Sequence, residues 1–159
     1  MVTRKPKEIV DTPALIGQIE LLASQKNHNT KHEIITTLKA AFNEGALEAK
    51  TRFEQSNRPS AYLKEMTHTM DQVLLAIHSA VKASATPAFD DVLCCAAVGG
   101  YGRKELFPYS DVDLLFLYQG SKPKQVRELV ESFLYYLWDM GFQVGYSVRS
   151  VDEAIGLSN

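Results

Sequence analysis

The spacing of apolar residues changes once along the chain, and that change limits the folds open to it. Up to Val81 they recur every three or four positions, as on helices that pack through one face. Beyond Pro87 they fall in short unbroken runs, as strands do. The chain therefore reads as α+β, with helices first and then a small sheet flanked by helices.

In the first half, Thr12 before Pro13 predicts an N-cap and a proline at the first helical position, ahead of Leu15, Ile16, Ile19, Leu22 and Ala23. Thr30 and Glu33 predict a capping box leading into Ile34, Ile35, Leu38, Ala41 and Phe42. Arg58-Pro59-Ser60 breaks the chain, and Leu63, Met66, Met70, Val73, Leu74, Ile77 and Val81 then form the longest amphipathic stripe. Such stripes are read as packing faces. Ala83-Ser84-Ala85-Thr86-Pro87 predicts a joint, dividing a helical region 1–86 from a second region 87–159.

In that second region, Val92 to Val98 is an apolar run that predicts a strand buried on both faces. Ser110 to Tyr118 predicts a second strand. A helix opened by Ser121 and Pro123 carries Val126, Leu129, Val130, Phe133, Leu134, Leu137 and Trp138 on one face and ends at Gly141. Phe142 to Arg149 predicts a third strand, and Asp152-Glu153-Ala154 a turn or helix start.

Composition excludes several classes. Apolar residues make up 45% and charged residues 23%, which are globular values. No apolar run reaches the length of about 20 residues that spans a bilayer, and Met1 to Pro6 leads into no apolar signal core, so a cytoplasmic location is expected. A net charge of −2 argues against a surface built on nucleic-acid phosphates. Cys94 and Cys95 are adjacent, where an ordinary disulfide would be strained, and read as reduced, mostly buried thiols. His28, His32, His68 and His78 stand too far from them in sequence for a zinc pattern.

The stretch from Val98 to Leu115 carries the chemistry. Gly99, Gly100 and Gly102 permit positive φ and close backbone approach directly after a strand, so main-chain N–H groups can face phosphate oxygens. Arg103 adds a two-pronged donor and Lys104 a more diffuse charge. Asp111 and Asp113, two apart on a predicted strand, project from one face. Carboxylates that close are relieved by a cation, and magnesium suits an all-oxygen set shared with phosphates. Each feature alone has a plainer reading: glycine turns after strands are common, and Asp-x-Asp can cap a turn or bind calcium. Glu105, off the acid-bearing strand, reads as structural, in a salt bridge to Arg103 or capping the turn.

Gly99-Gly100-Tyr101-Gly102-Arg103, then Glu105-Leu106, Pro108 and Ser110-Asp111-Val112-Asp113-Leu114-Leu115, resembles the signature of bacterial protein-PII uridylyltransferases, bifunctional uridylyl-removing enzymes of nitrogen signalling. A looser likeness runs through Phe42 to Gly45, Met70 to Leu75, Leu137-Trp138-Asp139 and Val144 to Arg149. The resemblance implies a polymerase-β-like nucleotidyltransferase core with a small mixed sheet, and magnesium-dependent transfer of UMP from UTP to a tyrosine of a PII protein. On this chain it implies that Gly99 and Gly100, with Arg103 and Ser110, receive the nucleotide, and that Asp111 and Asp113 are the catalytic metal ligands. A catalytically weak nucleotide- or PII-binding module of the same fold is the alternative.

The chain departs from that family in places. A glycine is usual where Lys104 stands, and a glutamate and a histidine where Gln143 and Tyr146 stand. The predicted third strand holds no carboxylate, although nucleotidyltransferases often place a third acid there. Asp139, Asp152 or Glu153 could serve if the fold brings one within reach. Family members are several times longer, so a C-terminally truncated form is expected, without the uridylyl-removing and glutamine-sensing domains.

Overall fold

Three long helices, α1 (Thr12–Gln25), α2 (Thr30–Ser56) and α3 (Pro59–Ser84), precede a three-stranded sheet in the computed structural model, which describes residues 9–25, 27–84, 92–120 and 123–156. The expected joint at 83–87 and the boundary at 86/87 lie largely outside those residues, as does Ser121 at the start of the fifth helix. The rest of the chain runs β1 (Leu93–Ala97), α4 (Gly99–Gly102), β2 (Val112–Tyr118), α5 (Pro123–Met140), β3 (Val144–Ser150) and α6 (Val151–Gly156).

The helical stripes do become packing faces. Met70, Val73, Ala76, Ile77, Ala80 and Val81 of α3 are buried with Leu15 and Ile19 of α1 and Ile34 and Leu38 of α2 within one apolar cluster. The same cluster takes in Leu114 and Phe116 of β2 and Phe133, Leu134 and Leu137 of α5. Polar residues inside it are satisfied: the Ser79 hydroxyl donates to Glu20 at 2.6 Å, and the Thr12 hydroxyl donates to Gln72.

Two helix starts differ from the sequence expectation. Asp11 caps α1, its carboxylate accepting the Ala14 N–H at 3.1 Å, and Thr12 is already helical. The Thr30/Glu33 capping box does not form, because Thr30 is itself in the first turn of α2 and its hydroxyl is engaged with Asn27. Asn27 instead closes a turn onto the Asn29 N–H at 2.8 Å. A capping box appears later, where the Ser150 N–H donates to Glu153 Oε2 at 2.8 Å and the Glu153 N–H donates back to Ser150 Oγ at 3.1 Å.

The sheet is mixed, in the order β1-β2-β3, with β1 antiparallel and β3 parallel to the central β2. Its covered face carries Leu93, Leu114 and Phe116, the last 5.6 Å from the Phe133 ring of α5. Its other face carries Cys94, Leu115, Leu117 and Arg149, all at least partly exposed. The prediction that β1 is buried on both faces is thus overturned: it is an edge strand covered on one side. An unbroken apolar run fixes a strand but not how many layers cover it. Cys94 is accordingly exposed and Cys95 half-buried, both free thiols, and burial pushes the Cys95 thiol up to about 12. Among the described residues no helix is long and apolar enough to cross a membrane.

Candidate active site

Where β1 ends, Val98 is still extended, and its N–H donates to the Asp113 carbonyl at 3.0 Å. The glycine turn therefore starts hydrogen-bonded to the strand that bears the acids. Gly99 takes φ +59°, a region open to glycine at little cost, and begins the single turn of α4. As the first residues of that turn, Gly99 and Gly100 have no carbonyl earlier in the helix to receive their N–H groups.

Asp113, half-buried, holds its carboxylate in a slot between glycines of two different elements. A Cβ on Gly99 would collide with Oδ2, and one on Gly145 would collide with Oδ1. Gly145 is the register partner of Asp113 across the β2–β3 ladder. Its role was not read from sequence, although an isolated glycine in a strand is a signal of close approach. Asp111 is exposed and precedes β2, which starts at Val112 and not at the expected Ser110. Val112 between the acids is 1% exposed, so alternation in the extended chain turns both carboxylates away from the core. Among the described residues neither carboxylate takes part in an ion pair or a side-chain hydrogen bond.

Arg103 lies over the turn, its guanidinium 3.9 Å from where a Cβ of Gly100 would stand. It pairs with Glu105 at 3.2 Å, the structural role expected of that glutamate. Ser110 closes a turn, its N–H and hydroxyl both donating to the Phe107 carbonyl, at 3.1 and 2.9 Å. Two braces tie this loop to α3. The buried Tyr101 hydroxyl donates to Asp71 at 2.6 Å, and the Leu106 N–H donates to the Thr67 hydroxyl at 3.3 Å. Burial, and then the Asp71 bond, raise the Tyr101 phenol far above its ordinary value. The signal for these braces was Thr67 and Asp71 themselves, polar residues four apart beside an apolar stripe.

No family model matches the chain, and neither does any solved structure. It is 35% identical to the bifunctional uridylyltransferase/uridylyl-removing enzyme of Rhodospirillum rubrum over 96% of its own length and 17% of that enzyme's. The enzyme of the same name from Azospirillum brasilense is 33% identical over 94% of the chain and 17% of its own length. The chain is homologous to the bifunctional uridylyltransferase/uridylyl-removing enzymes. A 63-residue stretch, 40% of the chain, is 56% identical to the one from Pseudomonas entomophila. The chain spans about 17% of the length of the relatives it matches most fully.

Lys104, where the resemblance leads one to expect glycine, sits at φ +63°, the left-handed conformation that glycine adopts freely. Tyr146 is 51% exposed, its ring 6.3 Å from that of Trp138. Gln143 contributes its backbone carbonyl, which accepts the Val112 N–H at 2.9 Å. The candidate third acids are placed elsewhere or already engaged. Glu153 is committed to capping α6. Asp139 bonds the Tyr135 hydroxyl, raising that phenol, and faces Lys31, whose amine burial lowers. Asp152 is exposed on α6. Among the described residues no three of His, Cys, Asp and Glu gather into a cluster. The two carboxylates still fit magnesium, which takes one or two of them together with phosphate and water oxygens.

Proposed function

We propose that this chain carries the uridylyl-transfer site of its homologues: a polymerase-β-like core, working in the cytoplasm, that moves UMP from UTP to a tyrosine of a PII signalling protein. The observation that carries the reading is the Asp113 carboxylate seated between Gly99 and Gly145, since the glycine turn and the acid strand are there built around one another. The N–H groups of Gly99 and Gly100, which open the helical turn, cradle phosphate oxygens, and Arg103 holds non-bridging oxygens from the exposed side. Asp111 and Asp113 hold magnesium, which when bound neutralises charge on the leaving pyrophosphate and makes the attacking hydroxyl more acidic. The acceptor oxygen then attacks the α-phosphorus in line; the P–O bond to pyrophosphate breaks, and the hydroxyl proton passes to solvent or a nearby base.

The test is transfer of labelled UMP from UTP to purified PII in the presence of magnesium. Wild-type chain is expected to label PII and Asp111→Ala to abolish labelling; equal labelling by both would end the claim. A second reading, a module that binds nucleotide or PII without turnover, is favoured by the lack of a third clustered acid among the described residues. Tight magnesium–UTP binding without pyrophosphate release would select it.

A further inference from the structure

β1 is an edge strand, paired with β2 alone among the described residues. The Val98 N–H donates to the carbonyl of Asp113, its partner across the ladder. Alternation then turns the N–H and C=O groups of Ala96 and Cys94 toward β2 as well, and those of Ala97, Cys95 and Leu93 outward. The outward groups join no hydrogen bond among the described residues. Edges of this kind are ordinarily guarded by lysine, proline or a bulge. Leu93-Cys94-Cys95-Ala96-Ala97 has neither residue, and its register against β2 runs without a bulge.

A groove of 570 Å³ lies between β1 and α3. Cys94 and Cys95, whose side chains leave the strand on opposite faces, both line it, so the groove follows the outer edge. Leu74, Leu75 and His78 of α3 form the facing wall, and Leu75 is 49% exposed.

We propose that this groove binds an extended peptide segment of another protein, which adds a strand to β1 and sets alternate apolar side chains against Leu74 and Leu75. The occupant follows from charge complementarity. The edge presents N–H and C=O groups, partial charges of both signs at the repeat of an extended chain, and another extended backbone matches that pattern. Main-chain bonds then give affinity, and the helix wall selects side chains. A second copy of the chain fits less well. Two-fold antiparallel pairing of β1 with itself would bring the copy's own α3 onto the same face of the joined sheet, where α3 already lines the groove.

Amide hydrogen exchange read by NMR on the wild-type chain tests this, with a short synthetic peptide of alternating valine and threonine as the probe. Its fully N-methylated form, which keeps the side chains but cannot donate, is the control. In the chain alone, the Leu93, Cys95 and Ala97 amides should exchange quickly, and those of Cys94 and Ala96 slowly. The peptide should slow the first three about tenfold, the protection that one net hydrogen bond supplies, and the N-methylated form should not. Leu75→Lys, a change at a half-exposed position, should keep the thermal unfolding of the wild type and weaken the peptide's effect. Slow exchange of the three amides in the chain alone would show the edge already covered and overturn the proposal. Unchanged exchange at saturating peptide would overturn it too, as would equal protection by the N-methylated form. Protection that grows with protein concentration alone would assign the edge to a second copy and likewise overturn it.

Discussion

The Asp113 carboxylate can lie where it does because positions 99 and 145 carry no Cβ. In Gly145→Ala the added methyl must push that carboxylate aside. A displacement of this size costs about 10²-fold in rate when a catalytic group is misplaced, and overpacking costs about 1–3 kcal/mol of stability. Labelled-UMP transfer and urea unfolding are expected to show both losses; a variant with wild-type transfer would mean that the slot does not matter. Lys104→Gly runs the other way. The left-handed backbone at φ +63° costs a non-glycine residue about 1–2 kcal/mol, part of which the freer unfolded glycine chain takes back. A higher urea midpoint is expected. The glycine turn and the acid pair beside it were legible from residue type and spacing alone. Gly145 was missed because its meaning depends on which residue lies across the ladder, and register is fixed by long-range pairing.

At the scale of elements, α4 is a single turn that could not hold its place unaided. It is pinned between the Val98–Asp113 backbone bond on one side and the Tyr101–Asp71 and Leu106–Thr67 bonds to α3 on the other. Tyr101→Phe removes one pin and leaves Asp71 without its donor, so a loss of about 1–3 kcal/mol is expected in denaturant titration. Asp71→Asn, whose amide oxygen can still accept the bond, should lose less. Sequence periodicity gave the helices and strands but erred at their starts. Asp11 outcompeted Thr12 as the cap of α1, and Asn27 took the Thr30 hydroxyl that a capping box at α2 requires. Several side chains capable of capping stood within a few residues of each start, and choosing among them depends on backbone geometry that spacing does not show. The one-sided burial of β1 was hidden for a related reason, because Cys94 and Ala96 are apolar enough to sit on either face.

The whole molecule joins the helices and the sheet through one apolar cluster, and that burial has a pH signature. The Cys95 thiol, raised from 9.0 to about 12, stays protonated in the folded chain while the unfolded chain ionises above pH 9. Its contribution is therefore complete below pH 9 and is lost as pH rises toward 12, with a slope of up to about 1.4 kcal/mol per pH unit. The buried Tyr101 phenol, also raised, adds a loss of the same sign above its ordinary 10.0. Unfolding free energy measured from pH 8 to 11 should fall steadily, and Cys95→Ala should flatten the first part of the fall. A thiol reagent at pH 8 should label exposed Cys94 well ahead of Cys95.

The α+β class was plain in the sequence from the change of period, but the arrangement of the site was not, since α3 reaches it across some thirty residues of chain. The proposed transfer requires Asp113 and Asp111 to meet a metal beside the glycine turn. Crystals grown with manganese in place of magnesium and a non-hydrolysable UTP analogue would show this directly by anomalous diffraction. A peak within about 2.2 Å of an Asp113 carboxylate oxygen, with phosphate density against Gly99 and Gly100, is the predicted result. A nucleotide bound with its metal away from Asp113 would contradict it.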